Sequence, residues 1–326
     1  MKFGPLPTGE AEGTILAHCL RINGLRLPKG RWLSAADIEA LQGAGIASVN
    51  VAQLQSGDLH EDEAATRIAS ALAGPGLIQD AAATGRVNLR AEGPGIVAVD
   101  ASAIHRVNRI NPAITVATVP EWTRLGPRGL AVTVKIIPFA AAEADVAAAC
   151  AAGQGAVALK APEIPSATLI ETQIGDAPMP DKGRRAMKAR LDRLDVALSP
   201  RCVVPHRIDA IAAAIRAAPG ALVLILTGSA TSDARDTAPE SVRAADGVIS
   251  HYGMPVDPGN LLFIGTAQDR PVIGLPGCAR SPAMNGADWV LERVICGVPV
   301  APEDIMGMGV GGLLKEIPTR PRPRDA

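Results

Sequence analysis

The chain predicts an α/β protein whose C-terminal part is a three-layer α/β domain with a mainly parallel sheet, preceded by a small opening unit and an α+β, β-rich module. Three observations carry this expectation. From Thr168 onward, short runs of Val, Ile and Leu alternate with segments of helical period, the pattern of β-α-β connections. Between residues 58 and 160, strand-like runs cluster with few helices between them. Apolar residues make up 48% and aromatic ones 2%, so the cores should be aliphatic; 326 residues suit two or three domains of about 100 to 200 residues each.

Residues 1–57 form the opening unit. An apolar segment at Ile15 to Ile22 leads to a turn at Pro28-Lys29-Gly30, and Ser34 is placed to cap a helix carrying Ile38 and Leu41 on one face. Gly45 ends that helix, and Ile46 to Ala52 reads as a strand with Val49 and Val51 on one side. The module at 58–160, of unknown role, opens with the acidic run Asp58 to Glu63, which suits a helix N-terminus, the helix running to Gly74. Strands are expected at Arg86–Ala91, Gly95–Asp100, Ala113–Val119 and Leu130–Ile137, with a helix at Ala101–Ile110 and an Ala-rich one at 141–152.

In the third region, 165–312, Thr168 to Ile174 is a strand. Met187, Leu191, Leu194 and Leu198 mark one helix face, and Ile208, Ile211 and Ile215 a second. Ala221–Leu226, Gly247–Ser250, Leu261–Gly265 and Pro271–Leu275 read as strands and Asn285–Cys296 as a helix. A Pro/Arg-rich tail, 313–326, is expected to be mobile.

Lys and Arg number 32 against 33 Asp and Glu, so no nucleic-acid surface or anionic-membrane surface is expected. No apolar stretch approaches the ~20 residues of a membrane span, and a cytoplasmic protein is expected. The five cysteines lack C-x-x-C spacing, which argues against disulfide and zinc frameworks.

The chemistry concentrates after the Ala221–Leu226 strand, in Thr227-Gly228-Ser229-Ala230-Thr231-Ser232-Asp233-Ala234-Arg235-Asp236-Thr237-Ala238-Pro239-Glu240. Glycine admits an anion to the backbone, hydroxyls and N–H groups donate to it, and Arg235 adds charge at a helix N-terminus. Asp236 is the odd member: beside an anion, a carboxylate either caps the following helix or holds a metal ion or proton.

This stretch resembles, at equal length, the T-G-G-T-G-x-x-x-R-D-x-T-P-E signature of the molybdopterin-binding domain shared by the MogA/MoaB proteins, the MoeA proteins and gephyrin. Pro258-Gly259, Gly265, Pro271-Val272 and Gly274-Leu275-Pro276-Gly277 resemble two MoeA loops, and Asp181-Lys182-Gly183 resembles the D-x-S-G opening of the first helix. In the opening unit, Lys29-Gly30, Leu33, Asp37-Ile38, Leu41, Gly45-Ile46 and Val49 resemble the MoeA segment ahead of this domain. The resemblance identifies the chain as closest to a MoeA-like protein, with 1–57 a MoeA-like N-terminal unit.

The resemblance implies a role in molybdenum-cofactor biosynthesis with molybdopterin as ligand. Thr227, Gly228, Ser229, Thr231, Ser232 and Arg235 would surround its phosphate, while Pro276, Gly277 and Cys278 close over the pterin and His206 and His251 add contacts. Asp236 would be the catalytic residue and ligand to a Mg²⁺ ion in a nucleotidyl or molybdate transfer. Ser229-Ala230-Thr231 replaces G-T-G, His206 stands at the second acidic position of the MogA type, and Asp257 stands where MoeA has a lysine. These departures keep an alternative open: a non-catalytic carrier of the cofactor, partner to a MobA/MocA-type nucleotidyltransferase. The family also implies a homo-oligomer.

Overall fold

A computed structural model describes residues 1–176 and 178–314, which divide into two compact units, residues 1–93 with 97–159, and residues 94–96 with 160 onward. Residues 315–326 of the expected mobile tail lie outside the described residues. Among the described residues no helix is long and apolar enough to cross a membrane.

In the first unit, Lys2–Pro7, Ser48–Gln53 and Ile15–Leu16 form an antiparallel three-stranded sheet. The helix Ala35–Gly43 starts at Ser34 in a capping box with Asp37, and Leu16, Leu27, Leu33, Leu41, Val49 and Val51 fill the space beneath. A hairpin, Leu20–Ile22 with Leu25–Leu27, turns at Asn23-Gly24, both at positive φ; Asn-Gly is the favoured residue pair of such a turn. A second core brings together the helix Glu61–Leu72 and the four-stranded antiparallel sheet of Ile114–Thr118, Leu130–Ile136, Arg86–Ala91 and Leu77–Gln79. The helix expected from Asp58 starts instead at Glu61, because Asp58–His60 pairs as a strand with Ala140–Ala142.

The second unit alternates as expected. In chain order it contains β1 (Ser166–Gln173), α1 (Lys182–Asp192), β2 (Ala197–Leu198), β3 (Cys202–Pro205), α2 (Ile208–Ala217) and β4 (Leu222–Leu226). Then follow α3 (Thr237–Ala244), β5 (Val248–Tyr252), β6 (Phe263–Ala267), β7 (Arg270–Leu275), α4 (Gly286–Ile295) and α5 (Pro302–Met306).

The seven strands form one sheet in the order β2-β1-β4-β7-β6-β5, with β3 also on β1. Pairing is parallel from β2 to β7 but antiparallel across β7-β6-β5. The sheet is therefore mixed: four of its six strand pairings are parallel, as expected, and the two at the β6 edge are antiparallel. The cause is local: β6 and β7 are joined by Gln268-Asp269, both at positive φ, and a two-residue connection of this kind joins antiparallel strands only.

Side-chain alternation along β4 sets the layers. Val223 and Ile225 pack with Ile211 and Ile215 of α2 and with Ala238 and Val242 of α3. Leu226 faces the other way, toward α1, which packs so closely that a Cβ on Gly183 would lie 2.7 Å from the Leu226 Cδ2. On that face Arg190 of α1 pairs with Asp288 of α4. The helix face expected through Leu198 stops at Asp192: Asp195 takes a left-handed φ of 56°, Leu194 is buried in the turn, and Leu198 belongs to β2.

Candidate functional site

Parallel strands β1, β3, β4 and β7 deliver their C-terminal ends to one side of the sheet, the usual place for ligands in such folds. A cavity of about 380 Å³ opens there, lined by Glu171, Thr172, Gln173 and Ile174 from β1 and its continuation, Pro178–Pro180, Lys182 and Gly183 at the start of α1, Gly228 after β4, and Arg280 after β7.

Thr172 joins three strand ends. Its hydroxyl accepts from the Gly228 N–H at 2.8 Å and meets His206 Nδ1 at 2.8 Å. With His206 neutral, Thr172 donates to Nδ1 and the ring proton sits on Nε2; with His206 cationic, Nδ1–H donates to the Thr172 hydroxyl instead. The His206 N–H donates to the Gln173 carbonyl at 2.8 Å, fixing the start of the loop before α2. Gly228 has to be glycine at this crossing: a Cβ would stand 2.6 Å from the Thr172 carbonyl oxygen.

The β4 and β7 loops are tied together by Arg280, whose guanidinium donates to the Thr227 carbonyl. Burial pulls its pKa down, opposed by the charge of Glu171. Glu171 is 2% exposed, and its Oε2 accepts from Arg201 Nε at 3.0 Å. Arg201 continues to the Met179 and Pro180 carbonyls at 3.2 and 3.3 Å. The path of the β7 loop is held from behind. The buried Arg190 donates to the carbonyls of Ala279, Ser281 and Ala283 at 3.0, 2.9 and 2.9 Å while paired with Asp288.

Asp236 is the N-cap of α3. Its carboxylate accepts from the N–H of Ser232 at 3.0 Å and of Thr237 at 2.6 Å. The Ser232 bond leads in holding its pKa below the usual carboxylate range; burial opposes it, and Thr237 and the charge of His206 add to the lowering. A hard divalent cation wants several oxygen ligands. Beside Asp236, Asp233 has its Oδ1 taken by the Arg235 N–H, and His206 offers nitrogen. Among the described residues no three His, Cys, Asp or Glu side chains converge in a way that could hold a metal ion. The donor set therefore does not fit a protein-built Mg²⁺ site.

Of the residues expected from the sequence to contact a ligand, Gly228 lines the cavity. Thr227 and Thr231 are buried in the loop, holding it through Thr227 to the Ser229 carbonyl and through the Tyr252 hydroxyl to the Thr231 carbonyl at 2.9 Å. Ser229, Ser232 and Arg235 are exposed along the same loop. Pro276, Gly277 and Cys278 begin the β7 loop that carries Arg280, and burial pushes the Cys278 thiol up. His251 lies in edge strand β5, opposite Ile264 and beside a register shift, outside the cavity lining.

The sequence reading missed Glu171, Thr172, Lys182 and Arg280. For Glu171 a signal exists: a charged residue inside a strand expected to be covered on both faces is rare unless paired. Lys182 and Arg280 gave only their positions, one beside Gly183 and one just past Pro276-Gly277.

A domain of unknown function, DUF8806, matches residues 5–53. No curated protein matches the chain. Among solved structures, the chain is similar to a molybdopterin biosynthesis MoeA protein from Pyrococcus horikosii, at 14% identity over 94% of this chain and 76% of that one, with a TM-score of 0.30. It is similar to a molybdenum cofactor biosynthesis protein B at 16% identity over 42% of this chain and 96% of that one, TM-score 0.31. A molybdenum cofactor biosynthesis protein from Pyrococcus furiosus is similar at 14% identity over 94% and 65% of the two chains, TM-score 0.24.

Proposed function

We propose that the second unit binds a phosphorylated pterin of the molybdopterin type, within molybdenum-cofactor assembly. One observation carries the reading: the signature-like loop and the β7 loop meet through Arg280 and Thr227, beside a cavity where Gly228, Lys182 and Arg280 gather. A backbone kept bare at Gly228 and two cationic side chains suit a phosphate. The remaining volume suits a compact ring system.

Between transfer enzyme and carrier, the bonding of Asp236 favours the carrier. One of its oxygens accepts from the helix-start N–H of Thr237 and the other from the loop N–H of Ser232, so the carboxylate is occupied in holding the loop. In this reading the cofactor is held for a separate nucleotidyltransferase of the MobA/MocA type, and the chain acts as a homo-oligomer.

Mass spectrometry of the purified protein, with titration of molybdopterin by calorimetry, tests the proposal; failure to retain or bind it removes the reading. Asp236→Ala separates the two roles. A carrier keeps its affinity and shows no turnover with any nucleotide and Mg²⁺, whereas measurable wild-type turnover lost in Asp236→Ala restores the enzyme.

A further inference from the structure

The cavity holds one group that phosphate binding does not use. Glu171 is a carboxylate on the cavity wall, 2% exposed, among groups otherwise suited to an anion. A negative charge there repels a phosphate, and burying an ion pair brings little stability of its own. Charge balance with Arg201 alone does not call for a cavity-lining position, since Arg201 also spans to the Met179 and Pro180 carbonyls.

The bonding of Glu171 is incomplete. Arg201 Nε takes one site on Oε2, and Oε1 accepts no hydrogen bond from the described residues. A carboxylate offers about four lone-pair sites across its two oxygens, so acceptor capacity remains on the cavity side. Oε1 lies 3.7 Å from where a Gly183 Cβ would stand, and both residues line the cavity. Lys182 and Arg280 supply cationic groups in the same cavity.

A ligand that satisfies both halves is an anion at one end and a pair of adjacent N–H donors at the other. We infer that Glu171 is a specificity-determining residue that accepts the N3–H and the 2-amino group of a 2-amino-4-oxopyrimidine edge, while Gly228, Lys182 and Arg280 take the ligand's phosphate. Two parallel N–H···O bonds to one carboxylate form the same fork that arginine makes with carboxylates. A 2,4-dioxo ring lacks the amino donor and sets an oxygen against the carboxylate instead. The assignment rests on the pterin-phosphate reading above and names the edge by which the ring is recognised.

The test compares 6-hydroxymethylpterin phosphate, its 2,4-dioxo (lumazine) counterpart and inorganic phosphate by calorimetric titration of the full chain. Wild type should prefer the pterin over the lumazine by roughly ten- to a hundredfold, the worth of hydrogen bonds to a charged group. Glu171→Gln, which keeps the shape, should reduce that preference to within about threefold, while inorganic phosphate binds as tightly or more tightly because the repelling charge is gone. Glu171→Asp, which keeps the charge but withdraws the oxygens, should reduce the preference likewise if Gln destabilises the chain; a melting curve identifies which variant is folded. A wild type that binds neither pteridine removes the pterin reading and this assignment with it. A wild type that binds the pterin, with its preference intact in a folded Glu171 variant, overturns the assignment alone.

Discussion

Asp236 and Gly228 show how much of a binding loop is settled by individual residues. The Asp236 carboxylate holds one loop amide, Ser232, and the first helix amide, Thr237, and replacing such a cap by Ala costs about 1 kcal/mol. Asp236→Ala should lower stability by that amount at neutral pH, read from urea unfolding, while Asp236→Asn should recover most of it. The pH dependence has a definite sign. The folded pKa is depressed, so the stabilisation is present above the ordinary carboxylate value near ~4 and disappears as pH falls through the folded value. The gap between wild type and Asp236→Ala should therefore close below about pH 4. Gly228→Ala should cost roughly 1–3 kcal/mol, because its Cβ meets a main-chain oxygen that moves only with β1; chemical denaturation measures the loss.

At the scale of elements, the site consists of strand ends and loops fastened to one another, and the fastening that matters most is the least exposed. Arg190 on α1 and Asp288 on α4 are both buried, and the guanidinium spans three carbonyls of the β7 loop. Asp288→Asn leaves a buried cation without its counter-charge and should cost about 3 kcal/mol or more. Faster proteolysis at residues 277–283 is expected to accompany the loss of stability.

The same elements explain what the sequence disclosed. The run Ala221–Leu226 is apolar and is legible as a buried strand, and Asp236 ahead of Thr-Ala-Pro-Glu is legible as a helix start. The antiparallel turn from β6 into β7 is not, because it depends on two residues, Gln268 and Asp269, adopting positive φ without a glycine to announce it. Helix α1 was drawn too long because Leu194 and Leu198 keep helical spacing although Asp195 has left the helix. Glu171 and Arg280 escaped because their partners, Arg201 and the Thr227 carbonyl, lie far away in sequence, and local pattern carries no information about such pairs.

At the scale of the whole molecule, each of the two units has its own aliphatic core, and the candidate site belongs entirely to the second. A ligand that binds only the folded state stabilises what it binds, by about 2.7 kcal/mol at a concentration a hundred times its Kd. Adding a pterin phosphate should thus raise the unfolding temperature reported by Tyr252, on the edge strand of the second unit. Amides of the helix Glu61–Leu72 in the first unit should show unchanged exchange; hydrogen exchange with and without ligand measures both.

Arg190 grips main-chain oxygens, and every residue type supplies those. Positions 279, 281 and 283 therefore owe it no particular side chain, and the loop that carries Arg280 can change its sequence while keeping its path. A pocket held in this way can drift toward new ligands through substitutions at its rim, each tried without risking the scaffold that presents it.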